Sequence, residues 1–233
     1  MICFRSAFLA ATTLIGAVSV AAPASALVVN VDNVQLPYSE SLNLNGFIDG
    51  ASYNADNQLA GQIVLTVNNV GSAAQYSLPV YCVDIFHDIY LGSSGFQFTE
   101  GALSTDNSAG TPDGPSSLST TQITDILALA TFGNALMQTA PTDHTSALVQ
   151  AAIWTAEYNN GSNSLTVSGG DIDESEIEAI TAEAIAAGGG GGQLISTGGI
   201  QQQVFDGPVP EPASLSVLAA SLFGIIVARR RKS

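Results

Sequence analysis

Hydrophobic and polar positions alternate between residues 28 and 88. Val, Ile, Leu and Tyr recur at every second position in several short runs, and turn-forming pairs such as Asn45-Gly46 and Asp49-Gly50 separate the runs. This alternation is typical of short strands that bury one face. It predicts strands over residues 28–36, 44–49, 62–67 and 75–84.

The spacing of apolar positions changes after a Ser-, Gly- and Pro-rich stretch at residues 104–119, which is predicted to be a loop. Beyond it, apolar residues recur every three or four positions, as they do on one face of a helix. This spacing predicts helices over residues 121–137 and 143–158.

A third helix is indicated by Asp173 with Glu176 three positions later, an acidic variant of the capping box, and it should end at the glycine run 188–192. Two short apolar pieces, 193–196 and 201–205, predict closing strands. Strands followed by helices favour an α+β fold. We therefore expect an N-terminal antiparallel β-sandwich-like part packed with a helical part, plus a C-terminal single apolar helix.

The first 26 residues have the organisation of a secretory signal peptide. Arg5 supplies a positive charge, residues 7–22 are apolar, and residues 24–26, ASA, match the small-residue pattern at which such peptides are cleaved. We expect residues 1–26 to be removed, which leaves an ectodomain that spans residues 27–208.

The C-terminal residues 209–233 combine three elements in order. A Pro-Glu-Pro motif comes first, then an apolar run of 16 residues at 213–228, and then a basic end. The run is short against the roughly 20 residues that cross a bilayer, and the basic end would stay in the cytoplasm. The motif consists of Pro210, Glu211 and Pro212, and the basic end of Arg229, Arg230, Arg231 and Lys232.

This combination resembles the PEP-CTERM sorting tail of Gram-negative bacteria that make extracellular polysaccharide. The resemblance implies that an exosortase-type membrane enzyme processes the tail and releases or transfers the ectodomain outward. We therefore expect secretion through the inner membrane, a transient membrane anchor, and a final location at the cell surface or in the extracellular matrix. The alternative is a permanent single-span anchor.

All five basic residues lie in the two terminal segments, whereas the ectodomain carries 19 acidic residues and no lysine or arginine, which gives it a formal charge of −19. Such a surface repels phosphate backbones and anionic lipids. Nucleic acid is therefore excluded as an expected partner. The composition also leaves no lysine side chain in the ectodomain that could react with an acyl donor.

Cys82 is the one cysteine of the ectodomain, because Cys3 lies in the signal peptide. A lone thiol in an exported protein has no partner for an internal disulfide, and it is either a reactive group or a small buried hydrophobic residue. Two short motifs favour a reactive group: residues 81–83, YCV, and residues 150–154, QAAIW.

These motifs, in this order, resemble the aromatic-Cys-hydrophobic and Gln-x-Ala-Ile-Trp signatures of bacterial surface thioester domains. The resemblance implies an internal thioester, formed when the thiol of Cys82 attacks the side-chain amide of Gln150 and expels ammonia. The two residues are 68 positions apart, so the fold must bring them into contact. The thioester would couple covalently, in a single turnover, to an amine or hydroxyl on a target surface or polysaccharide, and it would serve adhesion rather than catalysis.

Neighbouring residues have expected supporting roles. His87 is a possible base that accepts the thiol proton or activates an incoming nucleophile. Asp84, Asp88 and Glu157 orient His87 or tune its pKa, Trp154 shields the thioester from water, and Tyr81 is the aromatic residue of the first motif. We expect no metal or cofactor, because one cysteine and two separated histidines give no recognised ligand spacing.

Two other functions remain open. The first is a Cys-His hydrolase or a transglutaminase-like acyltransferase, with Cys82 as nucleophile and His87 or His144 as base. The second is a passive component of an exopolysaccharide or biofilm matrix, which would form no thioester and catalyse no reaction.

Overall fold

A computed structural model describes residues 28–101, 103, 118–159, 161–196, 201 and 203–206. In chain order the elements are β1 (Val28–Gln35), β2 (Glu40–Ile48), β3 (Ala51–Ala60), β4 (Ile63–Asn69), β5 (Gln75–Cys82), β6 (Phe96–Gly101), α1 (Thr120–Thr139), α2 (Asp143–Tyr158), β7 (Ser164–Ser168), α3 (Glu174–Ala187), β8 (Gly191–Ser196) and β9 (Gln203–Asp206).

Six of these strands form a closed antiparallel barrel in the order β1-β4-β5-β9-β8-β6. Their inward side chains are mostly branched or aromatic and are fully buried, as expected for a small barrel whose interior is filled by side chains. Examples are Val31, Leu65, Val80 and Phe98, each with no exposed surface.

The remaining strands form a second sheet in the order β3-β2-β7. Helix α2 packs against this sheet and also against β5 of the barrel, while α1 contacts β5, β8 and β9. One apolar cluster joins the two sheets through the helices; it includes Leu44 of β2, Ile153 of α2 and Tyr81 of β5. The end of β5 therefore lies where the barrel, the helices and the second sheet meet.

The helices begin at side-chain caps. Ser119 caps α1 in a capping box with Gln122, and Thr142 caps α2. Asp173 caps α3 in the capping box that the sequence predicts, with Glu176 as its partner. Each cap satisfies backbone N–H groups that the first turn of a helix leaves without a partner. Because α2 starts at Asp143, Gln150 falls on its second turn, facing the barrel.

The predicted α+β class is wrong. Strand makes up 41% of the structure, so the fold is mostly β, and the predicted β-sandwich-like part is a closed barrel beside a three-stranded sheet. The physical reason is long-range: β8 and β9 return after the helices and pair with β6 and β5, which closes the sheet and removes its edges.

The predicted C-terminal apolar helix over residues 213–228, the signal peptide and most of the predicted loop at 104–119 lie outside the described residues. Within the ranges that are described, none of the helices has the length and apolar character needed to span a bilayer.

Candidate functional site

The structure brings Cys82 and Gln150 into direct contact. The backbone N–H of Cys82 donates to Oε1 of Gln150 at 2.9 Å, and Nε2 of Gln150 donates to the backbone carbonyl of Cys82 at 2.8 Å. Cys82 is 2% exposed and Gln150 is 1% exposed. The two residues that the sequence motifs single out are therefore a buried, hydrogen-bonded pair, held by the end of β5 on one side and by α2 on the other.

Close packing of α1 against α2 and β5 fixes this geometry. Gly133 of α1 lies where a Cβ atom would come within 2.5 Å of Val149 Cγ1 and 2.7 Å of the Tyr81 hydroxyl. Gln62 donates to that hydroxyl at 3.3 Å and to Asn134 Oδ1 at 2.7 Å. Tyr81 is thus a packing residue, and its buried side chain faces the helices rather than the reactive pair.

The thiol of Cys82 is enclosed by the turn that follows β5. Its Sγ donates to the backbone carbonyl of Asp84 at 3.0 Å and accepts the Asp84 backbone N–H at 3.3 Å. Burial raises the pKa of the Cys82 thiol well above its ordinary value, and the charges of Asp84 and Glu157 raise it further. The thiol is therefore neutral at pH 7 in this environment.

Trp154 lies one helical turn beyond Gln150, on the same pocket. Its side chain is 3% exposed, and its indole N–H makes no hydrogen bond of good geometry with the described residues. The indole nevertheless interacts with the thiol and lowers the pKa of Cys82, against the larger effect of burial. Trp154 thus supplies a buried donor beside the sulfur, and its expected role as a shield of the thioester stays a prediction.

Asp84 orients His87. Nδ1 of His87 lies 2.9 Å from Asp84 Oδ2, while Asp84 Oδ1 accepts the backbone N–H of Phe86 at 3.0 Å. His87 and Cys82 line the same pocket. His144 lies elsewhere, with its ring nitrogens 4.0 Å from Glu40 and 3.4 Å from Glu176. Of the two histidines, only His87 shares the pocket with the cysteine.

Glu157 is fully buried on α2. Its backbone carbonyl accepts Nε2 of Gln122 at 2.7 Å. Its carboxylate acts on the site through charge, since it raises the pKa of both Cys82 and Tyr158. The contact that orients His87 is the one with Asp84.

A pocket of about 320 Å³ opens above the pair. Cys82, Gln150 and Trp154 line its inner end. Most of its other residues are aliphatic and come from β2, β3, β4 and the segment after β5. Its mouth, defined here as Leu59, Tyr90 and Leu91, carries the exposed hydrophobic members of the lining, and Asp88 is exposed as well. A ligand entering through the mouth would reach the cysteine and glutamine together.

Two glutamines near the site were missed by the sequence analysis. Gln201 donates from Nε2 to the Asp84 carbonyl at 3.0 Å, and Gln203 of β9 is the strand partner of Cys82. Gln203 is fully buried, and its Oε1 has no hydrogen-bond partner in the described part of the chain. No local signal marks these residues, because only the return of β9 to β5 places them there.

The described residues contain no group of three or more His, Cys, Asp or Glu side chains that could hold a metal ion.

Comparison with known proteins bears on the C-terminal tail. No curated protein and no solved structure matches the chain. Residues 208–232 match the model of the PEP-CTERM protein-sorting motif, the stretch that contains Pro210, Glu211, Pro212 and the basic end. The motif confirms the predicted tail and implies recognition by an exosortase, so the chain is exported to the cell envelope or surface as a surface or matrix protein.

Proposed function

We propose that this exported protein forms an internal thioester between Cys82 and Gln150 and uses it once, to couple covalently to an amine or hydroxyl group on a target surface. The observation that carries the proposal is the pair of hydrogen bonds, 2.9 and 2.8 Å long, that hold the Gln150 amide against Cys82. An amide is a poor electrophile, and an amide held against the residue that carries the nucleophile has the effective concentration that the reaction needs.

Formation of the thioester follows from this geometry. The sulfur of Cys82 attacks Cδ of Gln150, and the negative charge that develops on Oε1 faces the Cys82 backbone N–H, which already donates to that atom. The leaving nitrogen is held by the Cys82 carbonyl. The C–S bond forms, the C–N bond breaks, and nitrogen departs as ammonia with the thiol proton.

Capture reverses the roles of the groups. A nucleophile enters the pocket and attacks the acyl carbon of residue 150, the C–S bond breaks, and the sulfur leaves and takes up the proton. His87, whose Nδ1 faces Asp84, has Nε2 available to carry that proton from nucleophile to sulfur. The absence of lysine from the ectodomain protects the thioester, because no side-chain amine of the same chain competes with the target.

Intact mass spectrometry of the purified protein tests the proposal. We expect a deficit of one ammonia, replaced by one added methylamine after exposure to that amine, and absent from the Cys82→Ala and Gln150→Ala variants. A full mass with Gln150 intact by peptide mapping and an alkylatable thiol would refute the thioester. Mapping is needed because a thioester lost by hydrolysis leaves glutamate at position 150, which distinguishes it from one that never formed.

A Cys-His hydrolase or acyltransferase is the second candidate, and the Asp84–His87 contact beside Cys82 is the observation in its favour. The state of the thiol argues against it. Nucleophilic cysteines of enzymes generally have lowered pKa values and partial exposure, whereas Cys82 is buried with a raised pKa. Repeated turnover of an external amide would favour the enzyme, and a passive matrix protein would show neither turnover nor a thioester.

A further inference from the structure

The pocket above the reactive pair has the volume and lining of a site for an aliphatic chain. We propose that it selects acyl acceptors that carry a primary amine at the end of such a chain, an inference that rests on the proposed Cys82–Gln150 thioester. Acceptors of this class include alkylamines and any surface group that ends in an aminoalkyl arm.

The volume of the pocket limits the size of the ligand that it can hold. Its volume of about 320 Å³ is roughly ten times the space of one water molecule in the liquid, at about 30 Å³ each. Such a cavity holds a short chain of several carbons, in the lower range of small-molecule sites. The inner end is the acyl carbon of residue 150, so a chain that fills the pocket places its terminal group at the thioester.

The lining favours a chain over a sugar. Gln150 and Gln201 each have an amide N–H engaged with the carbonyls of Cys82 and Asp84, and Nδ1 of His87 is engaged with the Asp84 carboxylate, so few of the polar atoms here remain for a ligand. Sugar hydroxyls buried here would lose water without equal replacement, which is costly. The aliphatic lining comprises Leu36, Leu44, Leu59, Ile63, Ile85, Ile89 and Leu91.

The mouth offers a second argument. Leu59, Tyr90 and Leu91 are 56%, 72% and 53% exposed, and they account for three of the seven large hydrophobic side chains that are exposed in the described part of the chain. Large apolar side chains clustered at the entrance of a pocket indicate a binding surface rather than chance exposure. The three come from β3 and from the segment after β5, so the fold assembles the cluster.

Charge selects the terminal group. Asp88 lies on the pocket, and no lysine or arginine occurs anywhere in the ectodomain. An ammonium group is therefore attracted and a carboxylate or phosphate is repelled. The ring of Tyr90 at the mouth adds a face on which a cation is favoured.

The coupling step balances as follows. The neutral amine nitrogen attacks the acyl carbon of residue 150, a C–N bond forms and the C–S bond breaks. The proton released by nitrogen passes to His87 and then to the Cys82 sulfur. The products are an amide at position 150, which carries the chain, and a free thiol. No oxidant, reductant or further reactant is needed.

Rates of adduct formation, followed by intact mass on the full chain, test the selection. We expect n-butylamine to react about tenfold faster than methylamine, which has similar basicity, because each buried methylene contributes up to about fourfold. Taurine, whose amine is paired with a sulfonate, and n-butanol should react more slowly than n-butylamine. Equal rates for methylamine and n-butylamine, or faster reaction of n-butanol, would overturn the proposal.

Leu91→Ser should slow adduct formation by n-butylamine and leave the rate with methylamine unchanged. Val70→Ser is the matched control, because Val70 is 56% exposed but does not line the pocket. An equal loss of rate for both amines would show that Leu91 supports the fold rather than the binding of the aliphatic chain, and it would contradict the proposal.

Ligand binding to the pocket can also be measured in a variant that forms no thioester. This measurement distinguishes failure of the pocket proposal from failure of the proposed function. The chain has one tryptophan, and it lies on the pocket. In Cys82→Ala, which can form no thioester, n-butylammonium should shift the fluorescence of Trp154, more weakly after Leu91→Ser. Failure of the proposed function gives full mass in the parent protein, whereas failure of the pocket proposal gives no fluorescence shift in Cys82→Ala.

Discussion

The side-chain amide of Gln150 is bonded to the backbone of Cys82 in the way that a neighbouring strand would be. One hydrogen bond runs from the Cys82 N–H to the amide oxygen and one from the amide nitrogen to the Cys82 carbonyl. Strand β4 begins at Ile63, which pairs with Val80 of β5. The last residues of β5, including Cys82, therefore have no partner in β4. Gln150 supplies a polar partner there, which is a structural role separate from any chemistry.

Removal of that partner should destabilise the fold. In a Cys82→Ala background, where no thioester contributes, we expect Gln150→Ala to lower the free energy of unfolding by about 2 kcal/mol, because a buried N–H and a buried C=O lose their partner. Urea denaturation measures the change. Ser77→Ala, at an exposed serine of the same strand, is the control and should change stability by less than about 0.5 kcal/mol. Equal stability with and without Gln150 would contradict the structural role.

Trp154→Phe should raise the pKa of the Cys82 thiol further, because the indole lowers it in the parent protein. The rate of thiol alkylation against pH measures the change, in a Gln150→Ala background where the thiol is permanently free. The midpoint of the profile should move to higher pH. Tyr90→Phe removes a polar atom from the mouth of the same pocket and serves as the control, with no shift expected. An unmoved midpoint in Trp154→Phe would mean that the indole does not act on the sulfur.

Gly133→Ala should disturb the contact between α1, α2 and β5. Its Cβ would lie 2.5 Å from Val149 Cγ1 and 2.7 Å from the Tyr81 hydroxyl, closer than atoms tolerate. We expect a loss of about 1–3 kcal/mol in the free energy of unfolding, as for overpacked cores, together with slower thioester formation because Val149 precedes Gln150. Gly190→Ala, with no atom within 4 Å of its Cβ, is the matched control. Full stability and normal thioester formation in Gly133→Ala would refute the packing argument.

The cap of α3 gives a pH-dependent prediction. Hydrogen bonds from Ser175 and Glu176 lower the pKa of Asp173 in the folded state. A lowered pKa in the folded state stabilises the protein above the ordinary value of about 3.9, and this contribution is lost as the pH falls through the folded value. Thermal unfolding should therefore show the parent protein losing stability relative to Asp173→Asn as the pH drops from about 5 to about 2. Parallel curves for the two proteins would rule out the charged cap.

Local features of the sequence were sufficient to predict the helices. Helix α2 spans residues 143–158 as predicted, and α3 begins at the predicted Asp173–Glu176 capping box, because caps and helical spacing involve residues only a few positions apart. Strands β3, β6 and β7 were missed. β3 is largely exposed, so its alternation is weak, and it contains Asn57 in a left-handed conformation.

The arrangement of the strands and part of the site could not be predicted in this way. Alternation in β1 and β5 is the same whether a sheet belongs to a sandwich or to a barrel, and closure depends on β9 pairing with β5 more than a hundred positions earlier in the chain. The motif resemblance indicated Cys82 and Gln150, whereas Gln203 was found only through that pairing. The thioester itself stays a prediction.

Strand β9 ends at Asp206, and the sorting motif begins at residue 208. Tension applied to the tail would therefore act first on β9, whose strand partners in β5 run from Val80 to Cys82. If the tail holds the protein to a cell while residue 150 holds a target, the mechanical path between the two crosses the strand pair beside the reactive cysteine. The resistance of this short strand to shear then sets the force that the attachment withstands.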